Sequence, residues 1–355
     1  MSQSSAYTVI GVMSGTSLDG LDLACCRFTV KDHTWSYVIL AAETLTYDSF
    51  WKKALAEAWN LSDVSLRQLD KKFGQLIGEQ VLAFIKKRGL QADLIASHGH
   101  TVFHRPDKGI TLQIGDGAAI ASINGLPTVN NFRQQDVSKG GQGAPLVPIG
   151  DQLLFAEYDY CLNIGGIANI SFELSGLRHA FDICPANQVL NYFAQQIGEP
   201  YDPMGKYAAD GKLLPEVLEK LDALEYYRKP YPKSLGREWI ESEVLPLLAN
   251  PDISPHDYLH SFCVHIARQI ALALKGLPKG RILVTGGGAF NRFLIQQIEK
   301  HLCHSLVLPD ALLIEYKEAL VFALLGLLRW RGEINCLSSV TGATEDSSAG
   351  DIYPV

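Results

Sequence analysis

The sequence predicts a two-domain α/β fold, on three observations. Its 355 residues exceed what one ordinary core organises, so two domains of roughly 150–200 residues are expected. A strand, a glycine turn and a second strand occur near residue 7 and again near residue 160. Between and after these stand helical stretches whose apolar residues recur every three or four positions.

Residues 7–13 form a β-rich apolar run that breaks at Ser14-Gly15-Thr16-Ser17-Leu18-Asp19-Gly20. Runs at 21–30 and 35–47 follow after short turns, which predicts an antiparallel meander. Residues 62–88 read as a helix through Leu66, Leu69, Phe73, Leu76, Ile77 and Val81. Short buried strands are expected at 94–97 and 111–114. The second half repeats the opening, with a strand at 160–162, the turn Gly165-Gly166 and a strand at 170–174. This suggests a duplicated domain, although the halves share no extended identity.

A carboxylate, Asp182, then closes a short strand before a helix at 187–196. Ser254-Pro255 opens a helix striped by Leu259, Cys263, Ile266, Ile270 and Leu274, ended by Gly276 and Pro278. A buried strand at 281–285 breaks at Gly286-Gly287-Gly288, with helices at about 291–302 and 315–330. The tail, 340–355, reads as irregular. No low-complexity linker appears, so the division is expected near 130–140. This gives domains at 1–132, joined by about 335–355, and at 133–334.

Composition narrows the function. With 47% apolar and 19% charged residues the chain is globular, and a net charge of −7 without a basic run argues against nucleic acid or an anionic membrane. The seven cysteines include no C-x-x-C pair and read as reduced thiols, which points to the cytoplasm. Residues 1–6 lack the basic region of a signal peptide, and the apolar stretch 319–328 is too short to span a bilayer.

Several motifs carry chemistry. The turn at Ser14–Gly20 offers N–H groups and hydroxyls to phosphate oxygens, with Asp19 or Asp22 as candidates for a hydrated Mg²⁺; its other reading is a decorated hairpin turn. No Walker lysine follows, which excludes the P-loop class. Three glycine turns, each after an apolar strand, suit a bound nucleotide because glycine permits close backbone approach. The run Ser97–Arg105 holds His98, His100 and His104 without zinc-site spacing; it reads as a sugar-binding polar loop or as structural histidines. Arg133 suits a bidentate contact with a carboxylate or phosphate, or a local salt bridge to Asp136. Asp182 is either a general base or a helix cap. The dense polar string Pro232–Glu238 has no unique reading.

Together these strings resemble the anhydro-N-acetylmuramic acid kinase family over nearly the whole chain. They are GVMSGTSLDGLD at 11–22, SHGHTVFHRP at 97–106, TLQIGDG at 111–117, GGQGAPLVP at 140–148, NIGGIANIS at 163–171, PKSLGRE at 232–238, TGGGAFN at 285–291, EAL at 318–320 and SVTGA at 339–343. The resemblance implies a two-domain actin-like ATPase (RNase H-like) fold closing over MgATP and an amino sugar, often as a homodimer. It implies that water attacks the anomeric carbon of a 1,6-anhydro sugar, activated by the aspartate matching Asp182, while O6 takes the γ-phosphate. It assigns ATP to Gly15, Thr16, Ser17, Leu18, Asp19, Gly20, Leu21 and Asp22, to Asn163, Gly165 and Gly166, and to Gly286, Gly287 and Gly288. It assigns the sugar to His98, Thr101, Arg133 and Glu318. The chain departs from the family's usual strings in three places. It has Asp182-Ile183-Cys184-Pro185-Ala186-Asn187 for D-T-G-P-G-N, with Asn191 for a later aspartate; His100 for glutamine; and Glu315-Tyr316-Lys317 where an acidic pair precedes Glu318. A plain amino-sugar kinase and a non-catalytic nucleotide-binding scaffold are the competing functions on this fold.

Overall fold

The computed structural model describes residues 5–15, 18 and 20–355, so the expectations on Thr16, Ser17 and Asp19 lie outside the described residues. The described strands, in chain order, are β1 (Ser5–Ser14), β2 (Gly20–Lys31), β3 (Thr34–Thr46), β4 (Leu94–Ser97), β5 (His100–Arg105), β6 (Ile110–Ile114), β7 (Thr128–Asn130), β8 (Tyr160–Ile164), β9 (Ile167–Leu174), β10 (Leu177–Pro185), β11 (Arg281–Thr285), β12 (Ser305–Val307) and β13 (Asp351–Tyr353). They divide between two compact units, one of residues 1–155 with 316–355 and one of 156–315.

Each unit is built on the same sheet. In the first, β3, β2 and β1 form an antiparallel meander, and β4 and β7 add in parallel beyond β1. In the second, β10, β9 and β8 form the meander, and β11 and β12 add in parallel beyond β8. Both units thus share an antiparallel three-stranded meander extended by two parallel strands, the duplicated actin-like topology, and this accounts for the repeated strand–turn–strand pattern.

The first unit's sheet is covered by the helix Asp63–Arg88, which buries Leu66, Leu69, Phe73, Ile77 and Val81 against Ile10 and Leu23. Ser62 caps its start by accepting from Ser65 N–H. Gly89, in the left-handed region at φ 60°, ends it, with Lys86, Lys87 and Arg88 set favourably against the helix dipole. In the second unit the helix Pro255–Ala273 buries Leu259, Cys263, Ile266 and Ile270 with Leu162, Phe193 and Ile282.

Other observed bounds depart from the expectations. Residues 133–155 and 316–334 fall in the first unit, so its limits differ from a division at 132/133 and 334/335. Long-range contacts explain this. Arg133 bonds His98, Asp136 bonds Thr341, and a Cβ on Gly150 would lie 2.6 Å from Val321. The tail is not irregular: it holds the helix Ser338–Thr341 and β13, which pairs antiparallel with β7. The last long helix spans Ala311–Trp330, starting earlier than expected because Asp310 Oδ1 accepts from Leu313 N–H. The run read as a polar loop contains β5, paired with β6. Among the described residues no helix is long and apolar enough to cross a membrane.

Candidate active site

In open α/β sheets, ligands gather outside the carboxyl ends of the parallel strands. In the first unit those ends are Ser14 on β1 and Ser97 on β4, whose strands pair in register and are continued by a bond from His98 N–H to Val12 O at 2.9 Å. Ser14 is buried; its Oγ accepts from Tyr47 Oη at 2.8 Å and lies 3.3 Å from His100 Nδ1. Leu18 is left-handed at φ 59°, and its N–H reaches Gly15 O at 3.4 Å. A Cβ on Gly20 would fall 2.5 Å from Leu45 O. Leu21 is in the core, so only its backbone can face a ligand. Asp22 is half-buried and accepts from Thr44 Oγ1 at 2.6 Å, while Tyr316 Oη lies 3.1 Å from the same hydroxyl.

Arg133 and His98 meet across 35 residues of sequence. Arg133 Nε and Nη2 lie 3.0 and 2.9 Å from His98 Nε2, and Nη1 donates to Gly143 O at 2.7 Å. His98 Nδ1 donates to Gly99 O at 2.9 Å. Both ring nitrogens of His98 are therefore engaged within the protein, and the ring orients Arg133. Burial, with Arg133 adding to it, keeps His98 neutral, well below the ordinary histidine value. Burial lowers Arg133 to about 10, with Glu318 opposing the shift, so the guanidinium stays charged at neutral pH.

No Arg133–Asp136 bridge is found among the described residues. Asp136 instead accepts from Gly143 N–H and Thr341 Oγ1, both at 2.7 Å, and so fixes the loop that carries Arg133's carbonyl partner. Glu318 lies close enough to feel Arg133 yet keeps solvent-exposed surface. Desolvation raises its carboxyl, Arg133 pulls it down and Asp22 adds to the rise. Beside it Lys317 forms a buried ion pair with Asp151 at 2.7 Å. Thr101 is half-buried, 3.5 Å from Gln113 Nε2, and His104 Nδ1 lies 3.1 Å from Thr111 Oγ1.

His100, replacing the family's glutamine, has a testable consequence. Burial lowers its folded value from 6.5 to about 4, so the folded protein binds fewer protons than the unfolded chain between those limits. Its contribution to stability is full above pH 6.5 and is lost as pH falls toward 4, about 2 kcal/mol by pH 5. His100→Gln is expected to reduce the loss of stability between pH 7 and pH 5, measured by urea unfolding at both. Equal losses in parent and variant would refute this.

In the second unit the carboxyl ends of β8 and β11 lie side by side through Asn163 and Thr285. The turn after β8 docks on the start of the helix Asn187–Gln196. Gly165 O accepts from Asn187 N–H at 3.1 Å, and Gly166 O accepts from Ala186 and Gln188 N–H at 2.9 and 3.2 Å. These bonds accommodate the D-I-C-P-A-N departure, since Ala186 offers the helix no side-chain cap. The turn after β11 requires glycine. Gly286 has φ 81°, and a Cβ there would lie 2.5 Å from Asn163 Oδ1. One on Gly288 would fall 2.3 Å from Ile164 Cγ2, whereas one on Gly287 would meet nothing nearer than 3.6 Å. The two turns thus pack together and leave an open approach at Gly287.

Asp182 sits on β10 at a register shift and is half-buried. Its Oδ2 accepts from Leu235 N–H at 2.9 Å, so the side chain does not cap the following helix. Desolvation raises its carboxyl from the ordinary aspartate value, against the lowering effect of that N–H. Three groups around it had no role assigned from sequence: Tyr226, Lys233 and the Leu235 amide. The string Pro232–Glu238 was the signal, but nothing local ties it to a residue some 50 positions earlier.

A family model described as anhydro-N-acetylmuramic acid kinase matches residues 7–355. A protein named anhydro-N-acetylmuramic acid kinase from Shewanella putrefaciens is 36% identical, covering 96% of this chain and 97% of its own. Its namesake from Microcystis aeruginosa is 34% identical, covering 97% and 99%. Among solved structures, component A of the Acidaminococcus fermentans (R)-2-hydroxyglutaryl-CoA dehydratase superposes at a TM-score of 0.46 with 14% identity, covering 90% of this chain and 97% of that one.

Proposed function

The chain belongs to the anhydro-N-acetylmuramic acid kinase family, and we propose that it converts 1,6-anhydro-N-acetylmuramic acid, ATP and water into N-acetylmuramic acid 6-phosphate and ADP. The observation that carries this reading is Asp182. A desolvated carboxylate is more basic than a solvated one, and the Leu235 amide holds one of its oxygens so that the other can face a water. Asp182 takes the proton as the water oxygen bonds to the anomeric carbon. The bond from that carbon to O6 breaks, and O6 becomes the phosphoryl acceptor.

The remaining residues bind and orient. A guanidinium has five N–H groups; His98 and Gly143 take three of Arg133's, which leaves two for the sugar's lactyl carboxylate. Glu318, an exposed residue beside Arg133, offers its carboxylate to sugar hydroxyls. The glycine turns at Asn163–Gly166 and Gly286–Gly288 fit a nucleotide, because the approach at Gly287 stays open. The string 14–22 offers phosphates the hydroxyls and glycines its sequence supplies, and the half-buried Asp22 suits a Mg²⁺ ion that retains its waters. When bound, MgATP supplies the phosphoryl group and the cation that neutralises its developing charge. This reading places the reaction in the cytoplasm, where ATP is available.

The test is mass spectrometry after incubating the sugar with protein, MgATP and ¹⁸O-labelled water. A product carrying phosphate and one labelled oxygen is expected. Phosphate without label would mean an ordinary sugar kinase, and no product from protein that binds ATP would overturn the reading.

A further inference from the structure

A base on the edge of a sheet must be held to within about half an ångström to act well. Asp182 pairs with Asn169 on β10, the edge strand of its sheet, directly before the residue at which the β10–β9 register shifts, and backbone groups turned to an open edge must find partners outside the sheet. One segment supplies them. Asp182 N–H donates to Lys233 O at 3.1 Å, and Asp182 O accepts from Tyr226 Oη at 2.6 Å. The same segment holds the carboxylate through the Leu235 amide. Both backbone groups and one side-chain oxygen are therefore bound by residues 226–235.

The segment is itself anchored. Tyr227 Oη lies 3.0 Å from Nε2 of the buried His265, whose Nδ1 lies 2.7 Å from Asp222 Oδ1. Asp222 also accepts from Arg268 at 3.0 Å and Gln269 at 2.8 Å, which joins the segment to the helix Pro255–Ala273. On the other side, Tyr231 stacks on Phe181, the residue before Asp182, with centroids 5.1 Å apart. Lys233 Nζ lies 4.6 Å above the Tyr226 ring and reaches Tyr226 O at 3.3 Å.

We propose that residues 226–235 form a strap that positions Asp182, with Tyr226 as the positioning residue that ties the strap to the base. The proposal rests on the reading of Asp182 as the catalytic base. It gives a role to the Pro232–Glu238 string, which had none from spacing. The titratable groups facing Asp182 are Tyr226 and Lys233 on the strap and Cys184 on its own strand. Burial raises the Tyr226 hydroxyl and the Cys184 thiol, keeping both protonated and neutral, and it lowers the Lys233 ammonium.

Tyr226→Phe tests this, since it removes one hydroxyl and keeps the ring that packs on Trp239 and Lys233. With the carbonyl released, the Leu235 amide drifts from the carboxylate and its lowering effect on Asp182 weakens. Expected are a kcat lower by about tenfold with KM for the sugar unchanged, and an acid limb of kcat moved to higher pH. The Asp182 carboxyl itself, followed by ¹³C NMR and assigned with Asp182→Asn, is expected to titrate at higher pH than in the parent. That NMR shift without any change in kcat would support the strap and overturn Asp182 as the base. An unmoved carboxyl titration, whatever happens to kcat, would overturn the strap.

Discussion

Asp182→Asn is expected to bind ATP like the parent and to turn over at least ~10²-fold more slowly. Asparagine has aspartate's shape and can still accept the Leu235 N–H through its amide oxygen, so the local fold has no reason to change. It cannot take a proton from water. The pH dependence gives a second readout. Desolvation raises the Asp182 carboxyl, so the parent's kcat should fall as pH drops through a value above that of an ordinary aspartate, and that limb should vanish in the variant.

Stability should move the opposite way. A carboxyl raised on folding adds stability below its unfolded value and loses it as pH rises, so at neutral pH the ionised base is a burden. Asp182→Asn should therefore melt at the parent's temperature or above. Kinetics across pH, calorimetric ATP titration and a thermal melt together check these points. A variant with parental turnover would end the assignment of Asp182 as base.

Gly11→Val is expected to destabilise the first unit by about 3 kcal/mol or more. Gly11 lies in the buried centre of β1, where a Cβ would fall 1.9 Å from Ala319 O and 3.0 Å from Ala323 Cβ. The first obstacle is helix backbone, so relief requires the helix Ala311–Trp330 to move away from the strand. That helix carries Glu318, the residue just before the clash, so the variant should also lose sugar affinity beyond its loss of stability. Gly89→Ala is the control: Gly89 is left-handed at φ 60° but has nothing within 4 Å, so it pays only the backbone penalty of roughly 1 kcal/mol. Chemical denaturation of both variants checks this. Equal costs would show that the helix yields freely at Gly11.

Much of the candidate site was legible because its signals are local. An apolar strand running into glycines marks a place where backbone must come close to something, and all three such turns lie at strand ends. Spacing offered Arg133 as a bidentate contact or a salt bridge and Asp182 as a base or a helix cap; the resemblance chose between them and alone supplied Glu318. The structure realises neither the salt bridge nor the cap: Asp136 turns to Gly143 and Thr341, and the Asp182 carboxylate to Leu235. His98 was expected among the sugar contacts, yet both its ring nitrogens are occupied by Arg133 and Gly99.

By itself the sequence determined what near neighbours can encode. The meander at the head of each unit, the capped and striped helices at Asp63–Arg88 and Pro255–Ala273, and the glycine breaks after β1, β8 and β11 all follow from turn chemistry, capping and periodicity within a few residues. Tertiary structure alone decided the common strand order of the two sheets, the return of the tail to β7, and the membership of residues 133–155 and 316–334 in the first unit. It also decided the strap that holds Asp182 on the edge strand of its sheet. Each of these depends on pairings between residues tens to hundreds of positions apart. Such pairings are selected by which buried polar groups find partners and which surfaces fit, and no short window of sequence contains both sides of the contact.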